Sequence, residues 1–257
     1  MKTKVVVNLF LLFLISIVGC QKAVISKPAP APILPNARLV CLFFDDGWGN
    51  QYEIALPILL KHDFKATFGV ITGSVGTGDD IWRYMDEKEL EELAKYGMDI
   101  ACHTQTHPHL TDNLTDEQLS EEIIDSKKYL EKMGFEVSTF VYPYYDWDDR
   151  VVELVTEAGY TCARAGWLEG EFYDLTTADP RARYYVPSWA IVNQDMERFK
   201  FLVDKAGRHS AVCLTYHFIS DTGPEETSTP VANFQAQMSY LKEAGFTVVL
   251  LPDLIRQ

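Results

Sequence analysis

Residues 39–47 read Leu-Val-Cys-Leu-Phe-Phe-Asp-Asp-Gly, six consecutive apolar residues followed by two carboxylates and a glycine. An apolar run of this length is typical of a strand that is buried on both faces, as in a parallel sheet. The two acidic residues then stand at the carboxyl end of that strand, where α/β folds collect their functional side chains. The segment therefore predicts an α/β fold and marks the edge of the sheet where chemistry should occur.

Strands and helices alternate along the rest of the chain, as the apolar periodicity and the helix-capping residues indicate. Strands are predicted at Leu39–Phe44, Ala66–Ile71, Met98–Cys102, Val137–Tyr142, Tyr160–Ala163, Tyr184–Val186, Ala211–Tyr216 and Thr247–Leu250. Helices are predicted at 50–62, 86–96, 115–133, 149–158, 196–206 and 233–244. About seven strand–helix units favour a barrel of parallel strands over an open sheet.

The first 37 residues are interpreted as a targeting segment and a tether. Lys2 and Lys4 precede an apolar run of 14 residues that ends at Val18, which is shorter than the ~17–25 residues of a membrane-spanning helix. Gly19-Cys20 resembles the cleavage site of bacterial lipoproteins, which predicts a lipoprotein signal peptide over 1–19 and a lipid on Cys20. The Pro-rich stretch completes a tether over 20–37, and 38–257 is the folded domain. The alternative is an ordinary secretory signal with an incidental cysteine, and both alternatives predict export.

The charge balance excludes one class of partner. The chain has 23 Lys and Arg against 37 Asp and Glu, a formal charge of −14, whereas nucleic-acid binding needs clustered basic residues. Attraction to anionic lipid is excluded for the same reason, so we expect membrane contact only through the N-terminal lipid, and no protein partner is inferred. The acidic residues on the predicted helices, including Glu121 and Glu122, are interpreted as solvated faces.

Three of the six histidines, His103, His107 and His109, lie within seven residues after the third predicted strand. The adjacent carboxylates of Asp45 and Asp46 should repel each other unless a cation lies near them. Two neutral imidazoles and one carboxylate make the three protein ligands of a catalytic zinc site with an open position. One alternative is structural, with Asp46 capping the next helix and His103 in the core. Another is a non-haem iron oxygenase, whose metal has the same ligand types but whose β-rich scaffold disagrees with the strand–helix pattern.

These residues carry a resemblance to a known family. Phe44-Asp45-Asp46-Gly47, His103-Thr104-x-x-His107 and Pro143-Tyr144 resemble the first three motifs of the polysaccharide deacetylases, also called NodB-homology proteins or carbohydrate esterase family 4. The resemblance extends over roughly residues 38–250 and implies an irregular (β/α) barrel. It also implies a divalent metal, usually zinc although cobalt, nickel or iron would fit the ligands, and an acetylated glycan as substrate.

The resemblance assigns roles by motif. Asp46, His103 and His107 would bind the metal, Asp45 would be the catalytic base, and His217 would be the catalytic acid. Tyr144 would place a backbone N–H against the oxyanion. The implied reaction is hydrolysis of an acetyl group, with N-acetyl favoured, from a carbohydrate at the bacterial envelope.

Aromatic side chains near these motifs are candidates for contact with sugar rings, because flat apolar faces stack on them. The candidate substrate-binding residues are Trp48, Pro143, Trp147 and Trp189. Aromatic residues in loops also serve as anchors that bury one side. His109 has no evident partner in the sequence and is interpreted as a surface residue.

The chain departs from the family pattern at one important position. Many members have an Arg three residues before the third-motif Tyr, where it pairs with the catalytic Asp, but this chain has Val141. Arg183 is a candidate substitute. The alternative function is a catalytically weak or inactive envelope lipoprotein that keeps the metal site and binds glycan without hydrolysing it.

Overall fold

The computed structural model describes residues 33, 36–166, 172–193, 196–207 and 210–256. The predicted signal peptide, Cys20 and most of the tether lie outside the described residues. Within the described part of the chain, no helix combines the length and the apolar character needed to cross a bilayer.

The core of the molecule is a nine-stranded, mostly parallel sheet. Its strands are β1 (Leu39–Phe44), β2 (Thr67–Val70), β3 (Asp99–Cys102), β4 (Thr139–Val141), β5 (Cys162–Arg164), β6 (Tyr173–Asp174), β7 (Trp189–Ala190), β8 (Ser210–Tyr216) and β11 (Thr247–Val248), with β9 (Phe218–Ile219) and β10 (Ser228–Thr229) forming a separate pair. The spatial order is β5-β4-β3-β2-β1-β8-β6, with β11 joined to β1 and β7 joined to β8. Only β6 runs antiparallel in the nine-stranded sheet.

All helices but the last pack on the face of the sheet that carries Val40, Leu42 and Phe44, and the last, with Leu251 and Leu254, packs on the opposite face. The helices are α1 (Leu56–His62), α2 (Glu87–Lys95), α3 (Asp116–Ser120), α4 (Ser126–Lys132), α5 (Asp149–Glu157), α6 (Met196–Val203), α7 (Val231–Glu243) and α8 (Leu251–Ile255). Single π-helical turns, Gln51–Ala55 and Glu121–Asp125, lead into α1 and join α3 to α4. The α/β barrel architecture expected from the sequence is confirmed. It is an irregular barrel, as the family resemblance implied.

Local sequence signals explain where the helices begin. Asp86 and Thr115 each accept a hydrogen bond from the backbone N–H three residues on, and Glu89 and Gln118 return a bond to the cap residue. Both are complete capping boxes, which satisfy backbone donors that a helix start leaves free. The predicted start of each of these helices is therefore correct.

One predicted strand is wrong. Instead of a strand over Tyr184–Val186, a short 3₁₀ turn spans Ala182–Tyr184, and Val186 makes one parallel bridge with Arg164. This bridge brings β5 against the segment that leads into β7, so it closes the ring of strands. The apolar pattern of three residues could not distinguish a strand from a turn with a single bridge.

Candidate active site

The predicted functional residues meet at one rim of the barrel. Asp45 and Asp46 follow β1, His103 follows β3, Tyr144 follows β4, and His217 follows β8. Because these strands are parallel, their carboxyl ends lie at the same edge of the sheet. The fold thus brings together residues that are up to 172 positions apart in the sequence.

Asp46, His103 and His107 form the group in the described part of the chain whose ligand atoms could hold a metal, all within 4.8 Å of one another. Asp46 Oδ1 lies 3.5 Å from His103 Nε2 and 3.6 Å from His107 Nε2. Tetrahedral zinc with ligands at about 2.1 Å separates them by about 3.4 Å. The donor types and their spacing therefore fit a zinc-like cation.

The protonation of these groups also suits a metal. His103 Nδ1 lies 2.8 Å from the carbonyl of Val141, so a proton on Nδ1 can be donated there and Nε2 keeps its lone pair for a metal. Burial and the neighbouring His103 lower the pKa of His107 to about 4, so its imidazole is neutral at pH 7. Burial acts to raise the pKa of Asp46, but hydrogen bonding to His103 and the nearby imidazoles hold it well below its usual range.

The loop that carries both histidines is held by a buried carboxylate. Glu122 accepts hydrogen bonds from the backbone N–H groups of Gln105 and Thr106, each at 2.8 Å, and from the Thr106 hydroxyl at 2.6 Å. The interpretation of Glu122 as part of a solvated helix face is therefore wrong. Its neighbour Glu121 is exposed, as expected. Helical periodicity could not show that a loop 17 residues away covers this position.

Several site residues adopt the left-handed backbone conformation that non-glycine residues rarely use. These residues are Asp46, Thr104, His107, Tyr144 and Tyr145, with φ between 51° and 75°. Gly47, directly after Asp46, has φ 83°. Such conformations persist only where surrounding contacts impose them, and they concentrate at functional sites.

Asp45 is paired with a buried arginine. Arg164 Nη2 donates to Asp45 Oδ2 at 2.5 Å, and the two side chains are 0% and 4% exposed. The other carboxylate oxygen, Oδ1, is buried and has no hydrogen-bond partner within the described residues. One oxygen is thus held by a fixed positive charge, and the other is free to accept a proton.

Arg164 makes the contact with Asp45 that the resemblance leads one to expect of a third-motif arginine. Val141, at the motif position, is the register partner of Arg164 across the β4–β5 pair. An arginine on β5, the strand next to β4, thus reaches the carboxylate of Asp45. Arg183, the substitute considered from the sequence, instead donates to the carbonyl of Pro180, so that prediction is wrong.

The predicted acid and base are joined through one amide side chain. His217 Nε2 lies 3.8 Å from Asp45 Oδ2. The amide nitrogen of buried Gln51 donates to the backbone carbonyls of both residues, at 2.5 Å to Asp45 and 2.9 Å to His217. Gln51 therefore fixes the distance between β1 and the segment after β8, a role that no sequence motif indicated.

Tyr144 and His109 form a stacked pair beside His107, one of the candidate metal ligands. Their ring centroids are 3.8 Å apart, and the Tyr144 ring meets that of His107 at 4.6 Å. His109 Nδ1 also lies 2.6 Å from Asp146 Oδ2. His109 is exposed, as predicted, but it has two partners, so the expectation that it has none is wrong. Tyr144 itself is 53% exposed at the mouth of the site.

The four residues proposed to contact substrate differ in exposure. Trp48 is half-buried, and the rings of Tyr84 and Phe218 stack on it at 4.1 and 4.5 Å. Trp147 is half-buried and stacks on Tyr185 at 4.9 Å. Pro143 is buried at the start of the turn that carries Tyr144. Trp189 is 8% exposed and belongs to the core, so its assignment as a stacking surface for sugar is corrected by its burial.

Comparison with known proteins places the chain in a family. The family model described as polysaccharide deacetylase matches residues 34–163. The chain belongs to the polysaccharide deacetylase family. The resemblance drawn from the motifs is thereby confirmed, and the deacetylase match ends just before Arg164.

Individual relatives of this deacetylase family member are moderately similar. It is 32% identical to YxkH of Bacillus subtilis over 127 residues, which cover 49% of this chain and 44% of YxkH. It is 27% identical to the peptidoglycan-N-acetylglucosamine deacetylase of Bacillus cereus, over 86% of this chain and 90% of that protein. The chain therefore spans less than half the length of YxkH but nearly all of the Bacillus cereus relative.

A solved structure supports the fold. The Xyl-CE4 domain of a multidomain xylanase from the hindgut metagenome of Trinervitermes trinervoides is 18% identical, with a TM-score of 0.59. The match covers 86% of this chain and 91% of that domain. At this level of identity the likeness concerns the deacetylase fold alone.

We expect Glu122→Gln to loosen the histidine loop. The variant replaces a carboxylate that accepts three hydrogen bonds by an amide with one accepting oxygen, so the two backbone N–H bonds lose their charged acceptor and the Thr106 hydroxyl must accept instead of donate; we expect a loss of about 1–3 kcal/mol in the free energy of unfolding. Urea denaturation measures this change. Glu121→Gln, at the exposed neighbouring position, should leave the midpoint unchanged, and equal effects of the two variants would contradict the role given to Glu122.

Proposed function

We propose that this protein is a metal-dependent hydrolase that removes acetyl groups, N-acetyl in preference to O-acetyl, from a carbohydrate polymer at the bacterial envelope. The observation that carries the proposal is the rim itself, where a metal-binding triad lies beside a carboxylate paired with a buried arginine and a histidine. The Bacillus cereus relative, named for deacetylation of peptidoglycan N-acetylglucosamine, supports this substrate class.

The proposed metal is zinc, held by Asp46, His103 and His107, because these ligand types and spacings suit it; cobalt, nickel or iron also accept such ligands. When bound, the metal polarises the acetyl carbonyl and lowers the pKa of water towards about 7. The protein contributes the neutral imidazole of His107 and the ionised carboxylate of Asp46 for this purpose.

The side chains around the metal site supply the proton transfers. Asp45 takes the proton of the attacking water at Oδ1, since Oδ2 is held by Arg164. His217 gives a proton to the leaving amine. The backbone N–H of Tyr144, on the left-handed turn after β4, stabilises the negative oxygen that develops on the acetyl group.

Arg164 argues against the alternative function, a protein that binds glycan without hydrolysing it. That hypothesis was based on the missing motif arginine, and Arg164 provides a guanidinium to the same carboxylate. Asp45 and His217 are retained at the rim and face each other. We therefore favour the hydrolase.

The proposal is tested by acetate release from purified protein loaded with Zn²⁺. The substrates are N-acetylglucosamine oligomers, peptidoglycan fragments, poly-β-1,6-N-acetylglucosamine and acetylated xylan. We expect release from at least one N-acetylated glycan, faster than from xylan. A folded, zinc-bound protein that releases acetate from none of them would contradict the proposal.

The envelope location is a separate proposal that depends on Gly19-Cys20 and the apolar segment before it. When cells that express the protein are grown with a radiolabelled fatty acid, the protein should run as a labelled band on a gel. The expected reason is that cleavage before Cys20 leaves an N-terminal cysteine that carries lipid. Cys20→Ser should abolish the label. Equal labelling of both proteins would contradict lipid attachment at this residue.

A further inference from the structure

The two oxygens of the Asp46 carboxylate have different partners. Oδ1 faces the imidazoles of His103 and His107 at 3.5 and 3.6 Å. Oδ2 accepts a hydrogen bond of 2.8 Å from the indole N–H of Trp48. One oxygen is therefore directed to the metal position, and the other is engaged by a neutral donor that has no other function in the proposed reaction.

Packing fixes the indole that makes this bond. Tyr84 stacks on it at 4.1 Å with an interplanar angle of 24°, and Phe218 stacks at 4.5 Å with an angle of 30°. Phe218 is itself 3% exposed, so its ring cannot move away easily. Trp48 is thus held by Phe218 of β9 and by Tyr84, which lies in the segment 72–86 that precedes α2.

Main-chain hydrogen bonds also fix the backbone around Trp48. Trp48 and Tyr84 form an antiparallel bridge. Gly49 N–H donates to the carbonyl of Arg83 at 2.7 Å, and Met85 N–H donates to the carbonyl of Gly47 at 2.8 Å. The donor that reaches Asp46 is therefore set by both side-chain packing and main-chain hydrogen bonds.

We infer that Trp48 is a positioning residue for the metal ligand Asp46, rather than a surface on which sugar stacks. Its N–H holds Oδ2 and keeps Oδ1 towards the histidines, so the carboxylate would offer a metal one oxygen. Groups that orient a metal ligand in this way typically contribute about 10–100-fold to metal affinity. The inference depends on the proposed function only in that the site binds a divalent metal.

The test compares Trp48→Phe with Trp82→Phe in the full protein. Trp48→Phe keeps an aromatic ring in the stack and removes the N–H. Trp82 meets the same indole edge to face at 6.0 Å and is 48% exposed, and it makes no hydrogen bond to Asp46 within the described residues. Zinc affinity is measured by competition with a chromophoric chelator, without any glycan, and thermal melting of the metal-free proteins reports folding.

We expect Trp48→Phe to weaken zinc binding about 10–100-fold and Trp82→Phe to leave it unchanged, with metal-free melting temperatures close to that of the parent. Equal zinc affinity for Trp48→Phe and the parent would overturn the inference, as would equal losses in both variants. If Trp48→Phe does not fold, incorporation of benzothienylalanine at position 48 preserves the indole shape without the N–H, and the same comparison applies. A parent protein that binds no zinc would instead contradict the metal site of the proposed function.

Discussion

Asp45→Asn should reduce acetate release by about 10²–10⁴-fold, the contribution of a positioned general base. An amide of the same shape cannot take the proton of the attacking water, and the oxygen proposed to receive it is Oδ1, which is buried and unpartnered within the described residues. Zinc content should stay at the parent level, because Asp46, His103 and His107 are untouched. Initial rates of acetate release and zinc analysis on the same samples measure both effects.

The matched control for this variant is Asp63→Asn. Asp63 is exposed and has a left-handed backbone conformation that Asn tolerates as well as Asp. Its rate should equal that of the parent. An Asp45→Asn protein that is folded, binds zinc and works at the parent rate would remove Asp45 from the mechanism.

Arg164→Val should lower the free energy of unfolding by about 3–5 kcal/mol, because it leaves the Asp45 carboxylate buried without its partner. Acetate release should fall with it. Urea denaturation and initial rates measure the two losses. For comparison, Arg150→Val breaks an ion pair whose side chains are 45% and 90% exposed, and we expect less than about 1 kcal/mol from it.

A second substitution separates loss of the ion pair from loss of packing. Val141 and Arg164 are register partners, so Val141→Arg combined with Arg164→Val returns the guanidinium to the position that the family motif uses. We expect the double variant to recover most of the acetate release that Arg164→Val loses, which a double-mutant cycle quantifies. A double variant no more active than Arg164→Val alone would contradict a role for the guanidinium at this rim.

The sequence predicted the parts of the fold that depend on local pattern. Strand β1 has the predicted bounds, since its six residues are all buried and all apolar. The capping boxes at Asp86 and Thr115 start their helices where expected, because a cap is satisfied within four residues. Pattern also predicted that His103, His107 and a carboxylate of the Asp45-Asp46 pair would lie together, since strand ends of a parallel sheet share one edge, while the choice of Asp46 came from the family resemblance.

The residues that support the site were not predictable in this way. Arg164 is separated from Asp45 by 119 residues and lies just beyond the strand end predicted at Ala163. Glu122 looks like any acidic residue of an exposed helix until the histidine loop is placed over it. Such roles depend on which segments the tertiary fold brings together, and charge patterning carries no information about that.

The single bridge that closes the ring of strands has a consequence for how the protein can lose activity. Two backbone hydrogen bonds hold the seam, from Val186 N–H to Ala163 and from Ala165 N–H to Val186, and Arg164 lies between them. A brief separation of these two segments would carry the guanidinium away from Asp45 while β1, β2 and β8 remain paired. Local opening costs less free energy than global unfolding. The Arg164–Asp45 pair can therefore separate at this seam, and activity can be interrupted, while the rest of the sheet stays folded.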